Sequence, residues 1–130
     1  MLETKLHASI AAVTNMKVLD LGCGVGGCAR YLAAECGCDV VGVDITPGFI
    51  AAATALTARC GLAERCTFVC CDATATPLEA GSFDHVWAQN VVMNIEDKAG
   101  LVAEVARLLR PGPAAPPVET VPLSRESTRG

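Results

Sequence analysis

The stretch Val18-Leu19-Asp20-Leu21-Gly22-Cys23-Gly24-Val25-Gly26 decides the fold of this chain. Its first half, preceded by Lys17, has the apolar and β-branched composition of a buried strand, and its second half is a glycine-rich turn. Residues 28–36 follow with apolar positions at helical spacing, which predicts a strand, a turn and a helix in succession. Glycine suits such a turn because the chain leaves the strand sharply, and a Cβ would keep a ligand away from the backbone.

Strand and helix patterns continue to alternate beyond this unit, which is typical of right-handed βαβ units around a parallel sheet. The predicted fold class is α/β, with a Rossmann-like, doubly wound and mainly parallel sheet whose C-terminal half is truncated. Thr46-Pro47 predicts a helix N-terminus, and Gly37 predicts a helix C-terminus. The predicted strands are 17–21, 40–44, 67–71 and 83–89, and the predicted helices are 28–36, 47–60 and 96–109.

The chain divides into three parts by composition. Residues 17–112 carry the alternating pattern and form the predicted domain, while residues 1–16 read as a short helix or arm. Five of the seven prolines lie between Pro111 and Pro122, so residues 113–130 are predicted to be a disordered tail.

Composition restricts the class of partner and the compartment. The chain has 130 residues, 52% of them hydrophobic, and a formal net charge of −4, so one acidic domain with a single core is expected. The sequence shows no basic cluster for nucleic acid and no apolar run long enough to cross a membrane. A small-molecule partner and a cytoplasmic location are therefore expected.

The cysteine content is high, at eight residues, but it does not follow a disulfide or zinc pattern. No secretory signal is apparent, and the spacings lack the CxxC-type separation of zinc sites, with His7 and His85 in no ligand pattern. We expect no metal, and we expect reduced cysteines that pack as small apolar side chains. The cysteines are Cys23, Cys28, Cys36, Cys38, Cys60, Cys66, Cys70 and Cys71.

Two acidic residues predict a nucleoside site at the carboxyl ends of the strands. Asp44 ends the second strand, where a carboxylate would accept the hydroxyls of an adenosine ribose. The glycine spacing fits both a dinucleotide pattern and the pattern of methyltransferases. Asp20 favours the methyltransferase pattern over the dinucleotide pattern, because its charge beside the turn would repel a pyrophosphate and suit the ammonium group of S-adenosylmethionine.

Five segments, in register, resemble the motifs of class I S-adenosylmethionine-dependent methyltransferases. Residues 18–26 resemble the first motif, and Val41-Gly42-Val43-Asp44 resembles the acidic motif of the second strand. Cys71-Asp72-Ala73 is similar to the segment that holds the adenine, residues 82–89 to the fourth strand, and Leu108-Leu109-Arg110-Pro111-Gly112 to the usual helix end. The resemblance implies S-adenosylmethionine as the cofactor.

The segments 87–90 and 93–98 are similar to methyltransferase type 11 enzymes of the sarcosine/dimethylglycine and tocopherol kind, which implies a small-molecule methyl acceptor. No catalytic side chain is implied, because the sulfonium is already an activated leaving group and positioning does much of the work. The resemblance assigns ribose binding to Asp44, turn contacts to Gly22, Gly24 and Gly26, the methionine end to Asp20 and Gln89, the adenine to Ile45, Asp72 and Ala73, and backbone contacts to Cys23.

The sequence departs from the family after Pro111-Gly112, where a fifth strand and a closing hairpin are expected and neither pattern follows. Two alternatives to an active enzyme remain: a catalytically inactive fragment or nucleotide-binding module, which the missing strands favour, and an NAD-binding domain, which shares the glycine pattern. Without a fifth strand beside it, the strand 83–89 would expose an apolar edge, so self-association or marginal stability is expected. Structural roles are the simpler interpretation for Asp84, His85 and Trp87, and Asp20 has the alternative of capping a turn.

Overall fold

A computed structural model describes residues 13–88 and 95–111 together with the backbone of residues 119–120. In this part of the chain, strands and helices alternate around one parallel sheet of strand order β3-β2-β1-β4-β5. The elements are β1 (Lys17–Leu21), α1 (Gly27–Cys36), β2 (Asp39–Asp44), α2 (Pro47–Arg59), β3 (Cys66–Cys70), β4 (His85–Ala88), α3 (Lys98–Leu108) and β5 (Glu119–Thr120).

The predicted doubly wound α/β fold is confirmed by this strand order. The chain runs outward from β1 to β3, and then returns to the other side of β1 with β4. Leu21 pairs with Val43 on one side and with Ala88 on the other, so the three strands end at the same edge of the sheet. Loops that leave this edge form the crevice in which ligands bind in open α/β sheets.

The helices begin and end close to the predicted positions. The α1 helix buries Ala29, Leu32 and Ala33 and ends at Gly37, whose φ of 66° is left-handed. The α2 helix has Thr46 as its N-cap and proline in its first turn, as predicted. The α3 helix starts two residues later than the predicted Glu96, because the Asp97 carboxylate accepts the Gly100 N–H at 2.8 Å and caps it there.

An apolar layer packs against each face of the sheet. Trp87 is fully buried in the layer that includes α1, and Phe83 is buried in the layer that includes α3. Val13, just before β1, is also fully buried in the first layer. The structural interpretation of Trp87 is therefore confirmed, and His85 is also buried, with 2% of its surface exposed.

The structure differs from the sequence expectation at the outer edge of β4. Trp87 pairs in parallel with Glu119 and Ala88 with Thr120, so a short strand from the predicted disordered tail covers this edge. Backbone groups along an open strand edge can pair with any extended segment, whatever its side chains. Residues 1–12, 89–94, 112–118 and 121–130 lie outside the described residues, and most of the predicted arm and tail falls there.

All eight cysteines lie in the described part of the chain and are free thiols. Cys23, Cys36, Cys38 and Cys66 are buried, which agrees with their predicted apolar role. Cys60 and Cys70 are exposed, and the expectation of packing is wrong for these two. Across the described ranges, each helix is too short or too polar to cross a bilayer.

Candidate cofactor-binding site

The glycine-rich turn leaves β1 in a left-handed conformation. Gly22, Gly24 and Gly26 have φ values of 70°, 56° and 86°, a region that side chains disfavour. The N–H groups of Gly22 and Cys23 donate to the Val43 carbonyl at 2.8 and 3.0 Å, which fixes the turn to β2. A Cβ at Gly24 would meet nothing within 4 Å, so this side of the turn is open to a ligand.

The other side of the turn is closely packed. A Cβ at Gly26 would lie 2.9 Å from the Phe68 ring, and a Cβ at Gly42 would lie 2.7 Å from the same ring. The Cys23 Sγ sits over Gly42 at 2.9 Å from that Cβ position. Two glycines on neighbouring segments therefore let one aromatic ring support the turn from behind.

Asp44 joins the turn to α2. Its Oδ2 accepts the Gly24 N–H at 3.0 Å, and its Oδ1 accepts the Thr46 N–H at 3.0 Å. Each carboxylate oxygen has a further lone pair, so the group can still accept hydroxyl hydrogens from a ligand. Asp44 is half-buried at the carboxyl end of β2, the place that the ribose prediction requires.

Asp20 is the buried acid of the site. Only 2% of its surface is exposed, and its Oδ2 has no hydrogen-bond partner among the residues that the structure describes. Burial, and then the charge of Asp44, raise the pKa of this carboxyl to about 7. The proposed capping role gains no support, because a buried acceptor without a donor fits a cationic group, such as the ammonium of S-adenosylmethionine.

The residues predicted at the adenine end lie on two adjacent loops. Ile45 has 70% of its surface exposed although it is a large apolar residue. Asp72 is exposed, and its Oδ1 accepts the N–H and the hydroxyl of Thr74, both at 2.8 Å, and these bonds lower its pKa. Ala73 packs against the α3 layer. The loops leave neighbouring strands, since the Cys71 N–H donates to the Asp44 carbonyl at 3.1 Å.

Cys23 and Gln89 differ from the other predicted residues of the site. Burial, followed by the charges of Asp20 and Asp44, raises the pKa of the Cys23 thiol to about 12, so this thiol stays protonated. The backbone contact of Cys23 with the cofactor stays a prediction. Gln89 lies outside the described residues, and its assignment to the methionine end stays a prediction. Among the described residues, no group of three or more metal-ligating side chains comes together.

Sequence reasoning missed a network that holds the adenine-side loop. Glu104 in α3 is buried, and its Oε2 accepts the Thr76 hydroxyl at 2.6 Å and the Thr76 N–H at 2.9 Å. Arg107 donates to the same carboxylate at 2.7 and 2.9 Å and to the Leu78 carbonyl at 2.9 Å. These bonds lower the pKa of Glu104 to about 2, so the carboxylate ties the loop after Asp72 to α3.

A second structural pair supports the start of the sheet. The Asp84 carboxylate accepts the Lys17 N–H at 2.9 Å and forms an ion pair with Arg110. The structural interpretation of Asp84 is therefore confirmed, although its partners are more specific than an exposed strand-edge acid would have.

A doubly wound sheet with a glycine turn and two acidic residues at its carboxyl edge is typical of nucleoside-binding α/β proteins. Comparison with known sequences gives the family. A sequence model described as methyltransferase domain matches residues 19–114, and the chain belongs to this family. The cofactor of this family is S-adenosylmethionine, as the resemblance implied, and solved relatives are in complex with S-adenosylmethionine or S-adenosylhomocysteine, so the NAD-binding alternative gains no support.

Individual relatives agree with this family. The chain is 40% identical over 96 residues to a chloroplastic tocopherol O-methyltransferase of Arabidopsis thaliana, a match that covers 74% of this chain and 28% of the relative. It superimposes with a TM-score of 0.72 and 36% identity on phosphoethanolamine N-methyltransferase 2 of Haemonchus contortus in complex with S-adenosylhomocysteine, over 76% of this chain and 23% of that one.

A further solved structure, a suggested sarcosine dimethylglycine methyltransferase of Galdieria sulphuraria, gives a TM-score of 0.76 at 30% identity. That match covers 85% of this chain and 40% of the other. The chain thus spans well under half the length of these relatives, and the part that it spans contains the turn, Asp20 and Asp44.

Proposed function

We propose that this chain binds S-adenosylmethionine and forms the cofactor-binding half of a methyltransferase that acts on a small molecule. The observation that carries the proposal is the unpartnered, buried Oδ2 of Asp20 beside the left-handed glycine turn. A buried carboxylate oxygen without a donor costs free energy unless a ligand supplies one.

The residues of the site divide the cofactor between them. Asp20 would accept the ammonium group, Asp44 the ribose hydroxyls, and the loops with Ile45 and Asp72 would enclose the adenine. The open side of Gly24 lets the backbone approach the ligand closely. When bound, S-adenosylmethionine supplies an electrophilic methyl group on a sulfonium, and the protein orients it.

The proposed acceptor is a small molecule. The names of two relatives described above give tocopherol and phosphoethanolamine as their acceptors, and both are small molecules. The charge of −4 favours a neutral or cationic acceptor and gives no support for nucleic acid or an anionic membrane as partner. A cytoplasmic location remains part of the proposal, since eight free thiols suit a reducing compartment, and cell fractionation tests it.

Calorimetric titration of the full chain with S-adenosylmethionine, S-adenosylhomocysteine and NAD tests the proposal. We expect both sulfur nucleosides to bind and NAD to bind more weakly, and a preference for NAD would refute the proposal. Replacing Asp44 by Ala removes two charge-assisted hydrogen bonds, each contributing about 1.5–3 kcal/mol, so affinity should fall at least about tenfold. Asp39→Ala is the control, because Asp39 is exposed at the opposite end of β2.

A catalytically inactive binding module is the second candidate, because the site residues that the structure places, namely the glycine turn, Asp20 and Asp44, are all assigned to cofactor binding. The two candidates share the cofactor site and differ in turnover. Methyl transfer from labelled S-adenosylmethionine to a panel of small acceptors separates them: binding without transfer supports the module, and transfer supports the enzyme.

A further inference from the structure

Arg30 makes contacts that link the two halves of the cofactor site. It lies in α1, one turn after Gly26, and is half-buried. Its Nη1 donates to the Val25 carbonyl in the glycine turn at 2.8 Å and to the Thr57 hydroxyl at 3.2 Å. Thr57 belongs to α2 and has only 1% of its surface exposed, so this contact is partly buried.

The guanidinium also fills the space that Gly26 leaves. A Cβ at Gly26 would lie 2.9 Å from the Arg30 Nη1 and 2.9 Å from the Phe68 ring. The turn is therefore packed from behind by a cation and an aromatic ring, while Gly24 faces open space. Nη1 is thus held by two acceptors on two different segments.

The α2 helix connects this contact to Asp44. The helix begins directly after Thr46, whose N–H binds the Asp44 Oδ1 at 3.0 Å, and the Asp44 Oδ2 binds the Gly24 N–H at 3.0 Å. The glycine turn and α2 are therefore tied together at two places, at Asp44 on the ligand side and at Arg30 behind the turn. A movement of the turn relative to α2 would displace the Gly24 N–H from the Asp44 carboxylate.

We propose that Arg30 is a positioning residue for the cofactor, which fixes the glycine turn against α2 without touching the ligand. This inference rests on the proposed function, because it assumes that the turn and Asp44 bind one nucleoside. Loss of the Arg30 contacts leaves the start of the turn held by the Val43 carbonyl and by Asp44, while its far end at Val25 loses its link to α2, and the site becomes less preorganised.

The test compares Arg30→Met and Arg30→Lys with a matched control. Arg65→Met removes a similar bond, from the Arg65 Nη1 to the Gly37 carbonyl at 3.0 Å, at the end of α1 away from the site. Calorimetry with S-adenosylhomocysteine gives the affinity, and thermal unfolding gives the stability. We expect Arg30→Met to weaken binding about tenfold at temperatures where it is folded, with partial recovery in Arg30→Lys and no change in Arg65→Met.

Equal weakening by Arg30→Met and Arg65→Met, or unchanged affinity in Arg30→Met, would overturn the inference. If Arg30→Met does not fold, Thr57→Val decides the question, since it keeps the shape of the buried side chain and removes the acceptor. We expect Thr57→Val to weaken binding, and wild-type affinity in that variant would also overturn it. Absence of binding by the wild-type chain would instead refute the proposed function, on which this inference depends.

Discussion

Replacement of Asp20 by Asn should remove a large part of the pH dependence of stability. Folding raises the pKa of Asp20 from 3.8 to about 7, so the folded chain holds this proton more tightly than the unfolded chain. The stability that the carboxyl contributes is complete below pH 3.8 and is lost as the pH rises to about 7. A shift of this size corresponds to about 4 kcal/mol, which is a large part of the stability of a small domain.

The measurement is urea unfolding of the wild type and the variant at pH 5 and pH 8.5. Between pH 5 and the folded-state pKa of about 7, the pKa shift corresponds to about 3 kcal/mol of unfolding free energy. From pH 5 to pH 8.5 the wild type should therefore lose about 3 kcal/mol more stability than Asp20→Asn. Asn stays neutral, and any cost of burying its amide is the same at both pH values. The neighbouring residues Asp44, Cys23 and Cys28 are the same in both proteins, so the comparison isolates the Asp20 carboxyl.

Asp39→Asn is the control, because Asp39 is exposed at the start of β2 and should follow the wild type. Parallel stability curves for the wild type and Asp20→Asn would refute the assignment of a buried, unpartnered carboxyl at this position. S-adenosylhomocysteine should bind the variant weakly at both pH values, since the counter-ion for its ammonium group is lost. The site therefore holds a charge that reduces stability and serves binding.

Three further predictions concern the loop, the support of the turn and the sheet edge. Glu104→Gln should destabilise the chain by about 1.5–3 kcal/mol in urea unfolding at pH 7, and by less as the pH falls from 4.5 towards 2, where the wild-type carboxylate also becomes protonated. Gly42→Ala should lower the free energy of unfolding by about 1–3 kcal/mol, because its Cβ would meet the Phe68 ring. Gly48→Ala should stabilise α2, because its Cβ would meet nothing within 4 Å, and equal melting temperatures of the two variants would contradict this. Light scattering should show association that rises with concentration, because the strand at 119–120 covers two of the four residues of β4, and a concentration-independent monomer would contradict it.

Most of the fold could be predicted from local pattern. Buried parallel strands are short apolar runs, and the predicted strand ends at Leu21 and Asp44 match the structure to the residue. Asp44 could be placed at the crevice because the carboxyl ends of parallel strands share one edge. The strand at Glu119–Thr120 could not be predicted, because its pairing uses backbone groups and has no apolar alternation to reveal it.

The contacts of Arg30 and Glu104 were not predicted, because their partners Thr57 and Thr76 are distant in the sequence. The partners of Arg30 lie in the turn and in α2, and no spacing in the sequence relates Arg30 to Thr57. Glu104 did leave a signal, because it occupies the apolar face of α3 with Leu101, Val105 and Leu108. A charged residue at such a position needs a buried partner, but only the folded loop shows that the partner is Thr76.

The central position of β1 has a consequence for how the chain folds during synthesis. Lys17 at the start of β1 bonds to Asp84, 67 residues later, while β2 and β3 follow β1 closely. The ribosome therefore releases the glycine turn and Asp44 well before the strand that covers the other edge of β1. Parallel pairing over such a separation is slow, so the nascent sheet exposes its apolar central strand for the whole interval. We expect chaperone binding to concentrate on chains arrested before β4 emerges, and to decline once residues 85–88 can pair.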